Sequence, residues 1–253
     1  MATSYRGRPA FRKRGIVSRL SDIIWPPRSL LSEEIVDRPG VIEPALWNEL
    51  KFLGDPQCHR CGFPLPDEIG GEALCGACSA RQPAYDTARA ALAYDDLSRQ
   101  LVLDLKRGGR RDGLPVFARW MVQAAGAAVE KADFIAPAPM HWTRLAVRSF
   151  NQAAWLAQAV AEAAGKPWRP GALTRTKRRK SQAGLSASER RRNVGGAIRA
   201  SWPVGGKTIL LVDDVFTTGA TLEACSRAFR KAGAAEVHAV TLARVVRPID
   251  ISI

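Results

Sequence analysis

Short apolar runs alternate with apolar residues at helical spacing along most of the chain. An apolar run of about four to eight residues is too short for a helix and is typical of a strand buried on both faces of a parallel sheet. Such strands are expected at residues 88–94, 133–139, 208–212 and 236–243, with a short one at Leu173. This alternation, with short connections, predicts a parallel α/β sheet of about four or five strands flanked by helices.

The segments between the strands carry helix start and stop signals. Helices are expected over residues 97–107, 114–131, 152–164 and 222–232, and a helix of about three turns over residues 44–53. Asp96 is the expected N-cap of the first of these, and Pro44 suits the first turn of the last. Gly165 and Gly233 follow two of the helical patterns and are expected to end them, because glycine readily adopts the left-handed conformation of a helix C-terminus.

The stretch after the strand at 208–212 is the most informative in the chain. Two acids come first, Asp213 and Asp214, and a small hydroxyl-rich loop then leads into a helix; its residues are Thr217, Thr218, Gly219, Ala220 and Thr221. Gly219 allows a tight turn in which successive N–H groups point into one concavity. Threonine hydroxyls and the positive end of the helix dipole complete a site that suits a phosphate monoester.

The acidic pair needs a separate role, because two carboxylates beside a phosphate would repel it. Carboxylates accept hydrogen bonds from vicinal sugar hydroxyls, so a phosphate and a diol in one site indicate a ribose 5-phosphate. An isolated Asp-Asp pair is more often a simple turn cap. Here the loop, the acids and the order of elements agree, which favours the ligand-binding interpretation.

Four cysteines nearer the N-terminus form two C-x-x-C pairs separated by 13 residues: Cys58, Cys61, Cys75 and Cys78. This spacing predicts a zinc ribbon, in which each pair binds Zn²⁺ from a tight turn. Two disulfides are the alternative, which the absence of a secretion signal disfavours. Four cysteine ligands leave no open coordination position, so the zinc would be structural. Cys225 falls on the apolar side of a helix and is expected to be a buried small hydrophobe.

Charge and hydropathy narrow the classes of partner. The 253 residues include 38 Lys and Arg against 24 Asp and Glu, a net charge of +14, which predicts anionic partners such as phosphorylated small molecules or nucleic acid. Basic residues cluster at 1–28 and 175–192. No apolar run approaches the ~20 residues needed to span a bilayer, and no apolar segment follows the N-terminal arginines as in a secretory signal. An organellar transit peptide has a similar Arg-rich start, but a cytoplasmic protein is the expectation.

Three blocks of sequence, in order, resemble the ComF/GntX family of phosphoribosyltransferase-like proteins. The blocks are Ala136-Pro137-Ala138-Pro139-Met140-His141 with Arg144 and Ser149-Phe150-Asn151-Gln152; Leu173 to Ala197; and the strand and loop around Asp213. The last of these is similar to the phosphoribosyl pyrophosphate (PRPP) signature of type I phosphoribosyltransferases. The resemblance covers roughly residues 25–245 and implies the type I phosphoribosyltransferase fold.

The resemblance also implies roles for particular residues. Asp213 and Asp214 would hold the ribose hydroxyls, and the loop at 217–221 the 5-phosphate. Pro139, Met140 and His141 would belong to the pyrophosphate loop, and the basic stretch at 175–196 would form a hood over the site. Charge on the leaving pyrophosphate would be neutralised by Mg²⁺ together with Arg144, Arg148 and Lys177, with Lys106 as a further candidate. No general base is evident, and His141 is as well explained by a positional role.

The N-terminal region departs from the family pattern. Many members carry a double zinc ribbon, but Ser29 and Ser32 stand at the first pair of ligand positions, and Glu43 and Leu46 at the second pair. We therefore expect one zinc, at the second ribbon. The domain boundaries that follow are 1–28 for a basic, disordered tail, 29–84 for the zinc-ribbon region and 85–253 for the phosphoribosyltransferase domain.

Two functions from different classes fit these observations. One is a Mg²⁺-dependent phosphoribosyltransferase with PRPP as donor and an unidentified acceptor. The other is a non-catalytic competence or DNA-uptake factor that binds PRPP and single-stranded DNA and works with competence-machinery proteins. No aromatic residue lies between Trp168 and Trp202, so DNA contacts by the basic stretch are expected to be to phosphates and to weaken steeply with salt.

Overall fold

The computed structural model describes residues 26–66, 72–107, 111–140, 150–175 and 198–246. The helices are α1 (Pro44–Glu49), α2 (Gly76–Ala80), α3 (Asp96–Arg107), α4 (Leu114–Ala125), α5 (Ala127–Lys131), α6 (Gln152–Ala164) and α7 (Ala220–Lys231), with a 3₁₀ turn at Arg111–Gly113. The strands are β1 (Thr87–Ala93), β2 (Phe134–Pro137), β3 (Leu173–Arg175), β4 (Ile198–Ala200), β5 (Thr208–Phe216) and β6 (Glu236–Arg244).

Four of the strands form a parallel sheet in the order β1–β6–β5–β2, and β3 and β4 form a separate antiparallel pair. The long strands β5 and β6 lie in the middle, in a register that sets Val212 beside Val240. The predicted parallel α/β class and its strand number are therefore confirmed. All four strands end at the same edge of the sheet, where ligands bind in open α/β folds.

Strand β5 shows why the sequence runs continuously apolar. Leu210 and Val212 pack into the core that includes α3, α4 and α6, whereas Ile209 and Leu211 pack into the core that includes α7. All four side chains are fully buried. Because both faces of the sheet are covered, alternation between apolar and polar residues disappears, as is usual for parallel strands.

Several predicted boundaries were wrong for identifiable reasons. The helix at Pro44 has only six residues, because Leu50 is already extended. The single helix expected over 114–131 is broken at Gly126, whose φ of +52° separates α4 from α5. Asp95 rather than Asp96 caps α3: its carboxylate accepts from Ser98 N–H, and the Ser98 hydroxyl accepts from Asp95 N–H.

The N-terminal region packs on the free edge of β1. Leu53 N–H donates to Ala91 O, and Ala93 N–H donates to Lys51 O, so residues 51–53 run beside the strand. This contact covers backbone groups that an edge strand would otherwise expose. Ala88 N–H donates to Arg60 O, so the four-cysteine region is also fixed against this strand.

Some expectations lie outside the described residues. They concern residues 1–25 of the basic tail, the segment 141–149 with His141, Arg144 and Arg148, and most of the basic stretch, 176–197, with Lys177. Within the described part of the chain, none of the helices combines the length and the apolar character needed to cross a membrane.

Candidate functional site

The threonine-rich loop lies at the carboxyl end of β5 and leads directly into α7. Gly219 is the N-cap residue of this helix, and Glu223 N–H donates to its carbonyl as the first helical hydrogen bond. The preceding first-turn N–H groups, such as those of Thr221 and Leu222, therefore have no intrahelical acceptor. The side chains of Thr217, Thr218 and Thr221 are exposed beside them, as a phosphate site requires.

Gly219 is required in this loop for two reasons. Its φ is +75°, a left-handed conformation that side chains disfavour. A Cβ atom at this position would also lie 2.7 Å from Cε2 of Phe216, closer than real Cβ contacts. The loop therefore folds back over the ring of Phe216, the last residue of β5, and packs directly on it.

Asp214 is held by two side chains from the face of the sheet that carries α3 and α6. Lys106 Nζ lies 3.2 Å from its Oδ2, and Gln152 Nε2 donates to the same oxygen at 2.8 Å. The other oxygen accepts from Val215 N–H at 2.7 Å. The carboxylate is buried, so these partners offset the cost of removing its charge from water.

Asp213 has a different environment. Burial and the neighbouring Asp214 carboxylate raise its pKa to about 7, although the Asp214 N–H and the Lys106 ammonium act in the opposite direction. Burial raises the pKa of the Cys225 thiol on α7, and the charge of Asp213 raises it further. The acidic pair thus combines one carboxylate fixed by a lysine and a glutamine with one that titrates near neutral pH.

The end of β2 lies next to this site. Ala138 N–H donates to Val212 O at 2.8 Å, and Pro139 and Met140 follow directly. Asn151 Nδ2 donates to Ala138 O at 3.1 Å, while its side-chain oxygen accepts from Ala153 N–H and caps α6. The structure therefore brings the beginning of the predicted pyrophosphate segment to the acidic pair.

Two residues of the site were underestimated from the sequence. Lys106 was only a secondary candidate, and Gln152 was noted only as part of a family motif. Gln152 is buried, and its Oε1 has no hydrogen-bond partner among the described residues. No local pattern identifies a glutamine at the start of a helix as a partner of an acid 62 residues later.

The four cysteines form one compact cluster. Their Sγ atoms all lie within 4.8 Å of one another, and those of Cys61 and Cys75 are 3.6 Å apart. Tetrahedral Zn–S bonds of about 2.3 Å imply sulfur separations of about 3.8 Å, so the cluster fits a zinc ion. Cys61 N–H points to Cys58 Sγ at 3.5 Å, a contact that stabilises a thiolate. The zinc would be structural.

Three residues at the positions predicted for the first ribbon's ligands are connected by hydrogen bonds. Ser29 is fully buried, and its hydroxyl donates to the Glu43 carboxylate. This contact and another from Ser32 lower the pKa of Glu43, against a raising effect of burial. Leu46 packs against the main core. Among the described residues, the only cluster of potential metal ligands is the four-cysteine one.

The four-cysteine cluster and the threonine-rich loop share a cavity of about 1070 Å³. Cys61, Cys75 and Gly76 line it on one side, and Thr217 and Gly219 on the other. Its wall also includes three aromatic residues and three arginines: Phe63, Tyr85, Phe216, Arg81, Arg227 and Arg244.

Comparison with known proteins identifies two family models. Residues 152–248 match the phosphoribosyl transferase domain, and residues 20–79 match the double zinc ribbon domain. The first match contains the acidic pair and the phosphate loop. The second contains the four cysteines and also the segment with Ser29 and Glu43.

Curated relatives align with most of their own length. The DNA utilization protein YhgH of Salmonella typhi is 31% identical over 195 residues, which cover 75% of this chain and 84% of that protein. Competence protein F of Haemophilus influenzae is 29% identical over 199 residues, which cover 75% of this chain and 85% of that protein. The solved orotate phosphoribosyltransferase of Aeropyrum pernix is 18% identical, with 61% of this chain and 68% of that chain covered and a TM-score of 0.36.

Metal analysis of the purified protein tests the zinc assignment. We expect about one zinc per chain, because four cysteines supply one tetrahedral site. Cys61→Ser with Cys78→Ser should lose the metal, and Ser29→Ala should retain it. Two zinc ions per chain would contradict the interpretation that the first ribbon binds no metal.

Proposed function

This chain belongs to the ComF family of phosphoribosyltransferase-like proteins, and on that premise we propose that it binds PRPP with Mg²⁺ and transfers the phosphoribosyl group to an acceptor. One observation carries the proposal. The strand, the acidic pair, the left-handed Gly219 and the start of α7 follow one another directly, so that N–H and hydroxyl donors suited to a phosphate lie next to two carboxylates suited to a diol.

In this proposal the loop at 217–221 binds the 5-phosphate. Its threonine hydroxyls and the first N–H groups of α7 donate to the phosphate oxygens. Asp213 and Asp214 accept from the ribose hydroxyls. Lys106 and Gln152 fix Asp214 in one orientation, so that the sugar meets a preorganised acceptor.

Transfer breaks the bond between ribose C1 and the pyrophosphate oxygen, whose bonding electrons leave with pyrophosphate. A lone pair of the acceptor forms the new bond to C1, and the proton that the acceptor loses passes to solvent. Mg²⁺, when bound with the substrate, supplies positive charge that stabilises the leaving group. The segment after β2 and the cations Arg144, Arg148 and Lys177 are proposed to contact the pyrophosphate. PRPP-dependent pyrophosphate release, measured against nucleobases, ammonia donors and short oligonucleotides, tests the transfer step and identifies the acceptor.

PRPP with Mg²⁺ should raise the melting temperature, because a ligand that binds only the folded state stabilises it by about 2.7 kcal/mol at a hundred times its Kd. Asp213→Asn with Asp214→Asn should abolish the shift. Asp133→Asn is the matched control, since this acid lies at the opposite end of β2, where it pairs with Lys207. The absence of any shift with the native protein at millimolar PRPP would refute the ribose-phosphate assignment.

Binding should also weaken at acidic pH. The pKa of Asp213 is raised to about 7, so a proton must leave before this carboxylate can accept from ribose. Below that pH the Kd for Mg²⁺-PRPP should rise about tenfold per pH unit. Isothermal titration at pH 8 and pH 6 measures the effect. Asp213→Asn, which lacks this carboxylate but leaves the titration of PRPP itself in place, should show a smaller change in Kd. An equal change in both proteins would contradict the assigned role.

A second candidate function, binding of single-stranded nucleic acid, is favoured by an exposed aromatic pair. Trp47 and Phe52 are 42% and 44% exposed, and their ring centroids lie 5.6 Å apart. Trp120 packs edge-on behind both rings, and the exposed Lys51 lies between them in sequence. Exposed aromatic rings are suited to stacked bases, and two relatives are named for DNA utilization and competence.

Trp47→Ala with Phe52→Ala should weaken binding of a fluorescent oligodeoxynucleotide at least tenfold, because each stacked base contributes about 1–3 kcal/mol. Trp202→Ala is the control, since Trp202 is 48% exposed but pairs with Arg169 elsewhere on the molecule. Fluorescence anisotropy at two salt concentrations measures the affinity of both variants for the oligodeoxynucleotide. An effect of Trp202→Ala as large as that of the double variant would contradict the stacking surface.

A further inference from the structure

Arg244, the last residue of β6, connects the four-cysteine cluster to the end of β5. Its side chain is only 7% exposed. One terminal nitrogen donates to Cys61 O, and the other lies 3.6 Å from Cys61 Sγ. The same guanidinium stacks over the Phe216 ring at 4.1 Å and faces the Phe63 ring at 5.3 Å.

The charge of Arg244 has no carboxylate counterpart among the described residues, since none of their ion pairs includes it. Its Nε atom is also buried without a hydrogen-bond partner. A buried, unpaired cation is costly. Four cysteine thiolates around one Zn²⁺ would carry a net charge of about −2, so zinc bound by the four cysteines would supply the missing counter-charge.

Phe216 lies between Arg244 and the phosphate loop and contacts both. The ring packs directly beneath Gly219, where even one added carbon would overlap it. Tyr85 supports the ring from its edge, with centroids 6.3 Å apart. Cys61, Arg244, Phe216 and Gly219 are thus in continuous contact from the zinc cluster to the proposed 5-phosphate site.

Glu223 forms a second connection between the two regions. It lies in the first turn of α7 and accepts from Ala84 N–H at 2.7 Å and from Arg81 at 3.1 Å, just after the second cysteine pair. Burial would raise the pKa of Glu223, but these donors and Arg227 outweigh it and lower the pKa. The start of the helix is therefore tied to the chain that leaves the zinc cluster.

We propose that Arg244 is a positioning residue through which zinc occupancy orders the phosphate loop, so that zinc and a sugar 5-phosphate bind cooperatively. The cooperative part rests on the proposed function, whereas the ordering of the loop by zinc does not. Because coupling between two sites is reciprocal, the factor by which zinc strengthens sugar phosphate binding must equal the factor by which sugar phosphate strengthens zinc binding.

The test compares zinc-loaded protein with protein stripped by a chelator. Ribose 5-phosphate should bind about tenfold more tightly to the loaded form by isothermal titration, and zinc should be held about tenfold more tightly in its presence by chelator competition. Inorganic pyrophosphate with Mg²⁺ should bind both forms equally, since its proposed contacts lie at the end of β2. A general loss of structure would weaken both ligands.

Three variants test whether the Arg244 side chain itself is responsible for the coupling. Arg244→Met should weaken zinc binding about ten- to a hundredfold and reduce the coupling factor to about one. Arg244→Lys, which keeps the charge, should restore part of the zinc affinity and part of the coupling. Arg230→Met is the matched control, because Arg230 pairs with Asp86 and carbonyls at the far end of α7. It should leave zinc affinity and coupling unchanged.

Amide hydrogen exchange separates this proposal from the proposed function. Removal of zinc, or Arg244→Met, should accelerate exchange at residues 217–221 about tenfold and leave α6 unchanged. If the loaded protein binds no ribose 5-phosphate, the proposed function fails, and the exchange and zinc-affinity results still decide the role of Arg244. Unchanged exchange at 217–221 after zinc removal, with wild-type zinc affinity in Arg244→Met, would overturn the inference.

Discussion

Burial of β5 on both faces is the constraint on which the rest of the structure depends. The strand is covered by two separate cores, so its apolar part can exist only within a complete layer of helices on either side. Beyond Val212, where β2 ends, two acids replace apolar residues while the strand continues to Phe216. This extension projects Asp213, Asp214 and the threonine loop past the neighbouring strand into a place where a ligand can approach.

Polar groups at this edge are stabilised by residues from distant elements. Asp214 is neutralised by Lys106 of α3 and oriented by Gln152 of α6. Removing one partner of such a buried pair usually costs about 3–5 kcal/mol, so the site and the stability of the helices around it are linked. Burial and the neighbouring carboxylate raise the pKa of Asp213, so the arrangement of the pair also makes its charge sensitive to pH.

The two halves of the N-terminal region use different means to stay folded. In the second half, four cysteines converge on a site that fits zinc. In the first, Ser29 is buried and hydrogen-bonded to Glu43, and Leu46 packs against the main core. Because this region lies against β1 and α7, it forms part of the wall beside the phosphate loop and is more than an appendage to the sheet.

The sequence by itself determined the features that depend on neighbouring residues. The parallel α/β class, the zinc spacing and the loop around Gly219 follow from periodicity, ligand spacing and turn chemistry. Tertiary structure decided which distant side chains meet: Gln152 with Asp214, 62 residues apart, and Arg244 with Cys61, 183 residues apart. Local sequence encodes how a segment can fold, whereas the partners of a buried charge are fixed only when the layers pack together.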